Sequence, residues 1–213
     1  MEPMHPEDLV GCRHRGVLRR AINLNSPTRM RTAYDLEQTV ERLSHRISSR
    51  ARKQEVLASL PKAPRRGDKL IPTRVDIERG DHAVEDTLEA MAAGTRLIVG
   101  ATLEHGPMAA TVDLLVRRDA GFGADPGLAY APVLISAHSV ARAAKKTQRA
   151  DCLAVPLSGL SLSQGVSVPY RHRAIAKEGQ QLAMAHVILE QWGFAAPEVG
   201  LIGHVANQQE QCY

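Results

Sequence analysis

Aromatic side chains make up only 3% of the 213 residues, so the chain has little from which to build a base-stacking surface of the kind that grips single-stranded nucleic acid. Cysteine is equally sparse. Cys12, Cys152 and Cys212 lie far apart and form no C-x-x-C, which argues against a disulfide framework and a thiolate zinc site and leaves reduced, incidental thiols. No apolar run is long enough to span a bilayer. The opening Met1-Glu-Pro-Met-His-Pro6 lacks the basic-then-apolar order of a secretory signal, so the expected location is the cytoplasm, with no membrane partner. Neither sign of charge dominates: a net +4 tolerates a polyanion, but a nucleic-acid footprint needs its basic residues gathered on one face. What is present is a 44% hydrophobic content, enough for one substantial core. Residues 1–213 therefore read as a single domain, with a helical front over 1–64 and a mixed sheet with helices over 65–213.

Periodicity and punctuation place the elements. Asp8 is the N-cap of a first helix that reaches Arg20, and the Asn23-Leu-Asn-Ser-Pro27 cluster ends it. A longer helix spans about Arg31 to Leu60, on Leu36, Val40, Leu43, Ile47, Val56 and Leu57, with a break expected in its polar middle from Ser48 to Lys53. Pro72 to Ile77 is a short strand, and a helix from His82 to Ala93 closes on Gly94. Arg96 to Leu103, Thr111 to Arg117 and Tyr130 to His138 read as three strands of an antiparallel meander. Ala141 to Arg171 has no firm period and reads as a long excursion. A strong helix from Ile175 to Trp192, ended by Gly193, and a strand at Glu198 to Ile202 complete an α/β (α+β) pattern, a mixed sheet flanked by helices.

The chemistry-bearing feature is Thr111-Val-Asp-Leu-Leu-Val-Arg117, which sets one carboxylate, Asp113, inside an apolar strand. Burying such a charge unpaired is expensive, so it needs a partner or a function. The following strand, Tyr130-Ala-Pro-Val-Leu-Ile-Ser-Ala-His138, and the helix carrying Gln180-Gln-Leu-Ala-Met-Ala-His186 come next in order.

That order, together with Asp8-Leu-Val-Gly-Cys-Arg13, Arg52-Lys-Gln-Glu-Val-Leu57 and Thr87-Leu-Glu-Ala-Met91, resembles the RecB-like nucleases of the PD-(D/E)xK superfamily, in particular actinobacterial proteins named as RecB-type recombinases or exonucleases. The resemblance covers most of the chain and rests on the order of motifs, none of them specific alone. It implies a restriction-endonuclease-like fold and metal-assisted hydrolysis of DNA in recombination or repair, with Mg²⁺ or Mn²⁺ held by carboxylates and a lysine serving the attacking water. It assigns Asp113 and Glu55 as metal ligands and catalytic residues and Gln181 as the glutamine of the later helix; His138, a nearby basic side chain rather than a family position, is the candidate catalytic stand-in for the lysine, since imidazole changes charge near neutrality. Family members also continue past the polar ending Gly203 to Tyr213, so the resemblance implies a chain truncated at its C-terminus.

The third motif departs from the family. Where a typical member carries Asp or Glu, a spacer and Lys, this chain has Leu134, Ile135 and Ser136, and Pro132 to His138 holds neither an acid nor a lysine. Losing a positioned charge beside a developing oxyanion costs about 2.7–4 kcal/mol. Two readings therefore stay open: an active metal-dependent nuclease, or a degenerate nuclease fold that binds DNA or a protein. Each residue also has a structural alternative. Asp113 could pair with Arg117 or Arg96, Glu55 could belong to a solvated basic helix beside Arg52 and Lys53, His138 and His186 could be structural histidines, and Gln181 could be a bridge.

Overall fold

A computed structural model describes residues 49–60, 74–118, 127–145, 149, 151–157, 160, 165–173, 175–205 and 208–212. The expected first helix, and the longer helix before residue 49, lie outside these. Residues 49–59 form helix α1, unbroken from Ser49 to Lys53, the described part of the polar stretch where a break is expected. Ala51, Lys53, Gln54, Glu55 and Ala58 are good helix formers, which is enough to carry the turn. Arg52, Val56 and Leu60, four residues apart, are all buried, and this stripe faces the sheet.

The strands follow in the order β1 (Arg74–Asp76), β2 (Leu97–Val99), β3 (Thr102–His105), β4 (Met108–Thr111), β5 (Leu114–Arg117), β6 (Tyr130–Ala143), β7 (Cys152–Ala154), β8 (Val166–Val168), β9 (Tyr170–His172), β10 (Gly200–Val205) and β11 (Gln208–Cys212). Helix α2 (Ala83–Ala92) lies between β1 and β2, and α3 (Ala176–Trp192) between β9 and β10. The main sheet is mixed, ordered β1-β2-β5-β6-β10-β11, with β9 added beside the far end of β6. β1 and β2 are parallel, as are β6 and β10; β2-β5, β5-β6 and β10-β11 are antiparallel.

Both faces of this sheet are covered, which is why Leu97-Ile-Val99, Leu114-Leu-Val116 and Val133-Leu-Ile135 are continuous apolar runs rather than alternations. Leu97, Val99, Leu114, Val116, Val133, Ile135 and Ile202 turn to the face that holds Val56 and Leu60 of α1. Ile98, Leu115, Leu134 and Leu201 turn the other way, onto Met91 of α2 and Leu182, Ile188 and Leu189 of α3. Tyr130 is fully buried there, its hydroxyl 3.0 and 3.1 Å from the Thr95 and Met91 carbonyls at the end of α2. Gly94 and Gly193, at φ 70° and 77°, end α2 and α3 in the left-handed conformation that glycine accepts without cost.

The meander needs a correction. The expected strands Arg96–Leu103 and Thr111–Arg117 are each broken at the same level, so β3 and β4 leave the main sheet as a separate hairpin. Gly100, at φ 71°, makes one bend, and its N–H donates to the Asp113 carbonyl at the other, 2.9 Å away. A side chain at Gly100 would be strained by that φ and would lie 3.1 Å from the Ile77 carbonyl. Asp113 consequently sits at the bend before β5 rather than within a strand. The excursion over 141–171 is also more ordered than its sequence suggests: β6 runs on to Ala143, and β7, β8 and β9 fall within it. Among the described residues no helix is long and apolar enough to cross a membrane.

Candidate functional site

The bend determines what Asp113 does. β5 pairs with β6 from Arg117–Tyr130 to Leu114–Val133, and beyond that point the chain turns toward the hairpin. The next β6 amide on this side, Ile135 N–H, has no strand carbonyl to meet; it donates to Asp113 Oδ2 at 2.8 Å. The carboxylate thus continues the ladder that the backbone has abandoned. Its other oxygen, Oδ1, accepts from Lys53 Nζ at 2.7 Å. Asp113 is 15% exposed and Lys53 37%, so the pair is partly shielded and both carboxylate oxygens have partners.

Lys53 comes from α1, sixty positions upstream in sequence. Lys53, Val56 and Leu60 stand at i, i+3 and i+7, a spacing that sets the ammonium beside the sheet-facing stripe. Glu55 is two residues on, roughly 200° around the helix, and so projects away. Its side chain is 71% exposed and meets Arg52 Nη1 at 3.2 Å. The helix that brings one charge to Asp113 brings the lysine, not the glutamate.

The remaining candidates have structural partners. Gln181 Nε2 donates to the Thr111 carbonyl, tying α3 to the end of β4 two residues before Asp113. Ser136 is buried, and its Oγ accepts from the exposed His138 backbone N–H at 3.1 Å; the β6–β10 register shifts just beyond, a local bulge. Leu134 is buried in the core shared with α3. Arg117, one of the expected partners of Asp113, instead donates to the Gly94 carbonyl at the C-terminal end of α2, where a cation is favoured. His186 Nε2 lies 3.4 Å from Glu190 one turn on.

Set against the chemistry of Mg²⁺, which requires several hard oxygen ligands in near-octahedral array, these residues do not fit the ion. Asp113 is engaged on both oxygens, Glu55 faces solvent on the opposite side of α1, and an apolar and a hydroxyl side chain occupy the third motif. Among the described residues no group of three or more His, Cys, Asp or Glu is placed to hold a metal.

Sequence reasoning missed a cavity of about 590 Å³ lined by α3, β7, β10 and the core strands. Its walls are mainly apolar, including Val116, Val133, Leu182 and Leu201, with Asp151, His172, His186 and the Arg118–Glu198 ion pair (2.9 Å) as the polar elements. Asp151 accepts the His172 N–H at 2.8 Å, and that bond, ahead of Cys152 and Arg171, holds its carboxyl below the usual range. The stability this contributes is present above the ordinary carboxylate range and is lost as pH falls through the lowered value. Burial, and then the neighbouring Asp151, push the Cys152 thiol up to about 11 from an ordinary 9.0. A thiol raised this way favours folding below pH 9 and loses that contribution as pH climbs through about 11. In a Cys12→Ser/Cys212→Ser background, native Cys152 should react with a disulfide reagent at pH 8 at least about tenfold more slowly than in denaturant, because its smaller thiolate fraction is only partly offset by the greater nucleophilicity of a higher-pKa thiolate. Equal rates would show a thiol open to solvent.

No family model matches the chain, and no curated protein and no solved structure matches it.

Proposed function

We propose that the chain is a restriction-endonuclease-like α/β module that binds DNA without cleaving it at the Asp113 centre, the degenerate form of a RecB-like nuclease, with a role in recombination or repair that rests on binding. The observation that carries this reading is the state of Asp113. Its carboxylate has one oxygen on the Lys53 ammonium and the other on the Ile135 N–H, so a metal bound there would sit beside a fixed positive charge, and among the described residues no grouped acid stands ready as a second ligand. The order helix, Asp-bearing bend, antiparallel strand and Gln-bearing helix supports the fold assignment. The competing active nuclease would need Asp113 and Glu55 on one ion, and α1 turns Lys53 toward Asp113 and Glu55 away from it.

The test is fluorescence anisotropy of labelled single- and double-stranded DNA with protein in EDTA and then in Mg²⁺. Binding that is present in EDTA, is not strengthened by Mg²⁺ and falls with added salt is the expected result, since phosphate contacts by Lys and Arg need no metal and compete with cations for the phosphates. Binding that appears only with Mg²⁺ would instead favour a metal-bridged catalytic complex, and no binding in either would end the DNA reading.

A further inference from the structure

Charge is distributed unevenly along the chain. From Gly127 to Lys177 the sequence holds seven Lys and Arg against a single carboxylate, Asp151, an excess larger than the +4 of the whole chain, so the remainder is net acidic. The fold concentrates part of this excess. Arg142 of β6 stands directly opposite Arg171 of β9 in the antiparallel register, and cross-strand partners share a face with their Cβ atoms about 4.5–5.5 Å apart. Arg173 is two residues past Arg171 on the same side, and its N–H on the Val140 carbonyl at 2.9 Å keeps it paired to β6. Arg142 and Arg173 are exposed, as are Lys145 and Arg149 past the end of β6.

Like charges set directly opposite one another in a sheet are destabilising. Asp151 offsets only part of this, at 3.5 Å from Arg171 Nε and half-exposed. A row of guanidinium groups held at such spacing is what a run of phosphates would neutralise. An anionic bilayer would favour apolar residues beside the cations. None of the exposed large hydrophobic residues is on β6 or β9 themselves, but Leu153 and Val166, the most exposed of them, stand on the β7–β8 hairpin beside β9, so vesicle binding is one arm of the test below.

We propose that the β6–β9 face carrying Arg142, Arg171 and Arg173 is the surface that tracks the sugar-phosphate backbone of DNA. It rests on the DNA-binding reading above but lies elsewhere on the sheet: Arg142 is seven residues along β6 from Ile135, roughly 20 Å from the Asp113 contact. The surface reads phosphates rather than base identity, so sequence preference should be slight.

The experiment compares wild type with Arg142→Glu/Arg173→Glu in anisotropy titrations of a labelled duplex across a salt series, with circular dichroism to verify folding. Both residues are exposed and neither side chain belongs to the core. Arg142→Gln/Arg173→Gln provides a milder second pair, and Arg79→Glu, at an exposed arginine before α2, changes the net charge by the same amount as that Gln pair and so controls for net charge. The paired Glu variant should bind at least tenfold more weakly, with the slope of log affinity against log salt reduced by about 1.8, close to 0.9 for each phosphate that is no longer neutralised. The Gln pair should lose most of the same slope, and Arg79→Glu should lose little. Unchanged affinity and slope in the paired variants, while wild type binds, would overturn this surface and leave the DNA-binding reading standing. A loss from Arg79→Glu equal to that of the Gln pair would overturn it too, attributing the attraction to net charge. Wild-type protein that binds anionic vesicles and not the duplex would overturn both.

Discussion

Asp113→Ala should lower the unfolding free energy by about 1–3 kcal/mol, because it leaves the Ile135 N–H without an acceptor in a mostly buried position and removes the partner of Lys53. The two contributions separate experimentally. Asp113→Asn retains a carbonyl oxygen for Ile135 and should recover most of the loss, while the ion pair, partly screened at a lysine that is 37% exposed, should account for less than about 1 kcal/mol. Lys53→Met should therefore cost less than Asp113→Ala. Urea denaturation of the three variants tests this ordering. A lysine substitution more damaging than the aspartate one would mean that the charge, rather than the continuation of the ladder, is what the fold uses.

The second large effect is expected at Gly203 in β10. A Cβ there would collide with Val140 Cγ1 and lie 2.9 Å from the His138 carbonyl, so β10 and β6 could not keep their spacing. Overpacking of this sort costs about 1–3 kcal/mol, and more where a strand must move as a unit. Gly179→Ala is the contrast. Gly179 lies in α3 with nothing within 4 Å of where its Cβ would be, so the substitution should stabilise by about 0.5–1 kcal/mol through helix propensity alone. Thermal unfolding of both variants should shift in opposite directions; a neutral Gly203→Ala would show that β6 and β10 are not closely packed at that point.

Much of the fold is legible in the sequence because its signals are local. Gly94 and Gly193 mark the ends of α2 and α3, and the apolar triplets of β2, β5 and β6 announce strands buried on both faces. The broken level at Gly100 and Asp113 is not legible, since a bend in one strand is fixed by the partner that bends with it. The stretch after Ala141 is obscure for a different reason: β7, β8 and β9 have three residues each, too few for any period to emerge.

The site divides along the same line. Asp113 stands out as a lone carboxylate among apolar neighbours and so requires a partner, but Arg117 and Arg96 are near only in sequence. Lys53 is sixty positions away, and its one sequence signal is that it shares a helical face with Val56 and Leu60, a position where a lysine needs an anion to meet. Glu55 is attractive by family resemblance, while the phase of α1 relative to Val56 places it outward. The cavity and the arginine face both draw on the stretch whose sequence has no period.

The most direct test of the Asp113 centre is cleavage of end-labelled single- and double-stranded DNA in Mg²⁺ and in Mn²⁺, comparing wild type with Asp113→Asn, which preserves the Ile135 contact. Bound DNA that stays intact in both proteins is the outcome expected of a carboxylate committed to Lys53 and the β6 amide. Metal-dependent cleavage by wild type that disappears in Asp113→Asn would contradict it, and would establish Asp113 as a working ligand of a nuclease.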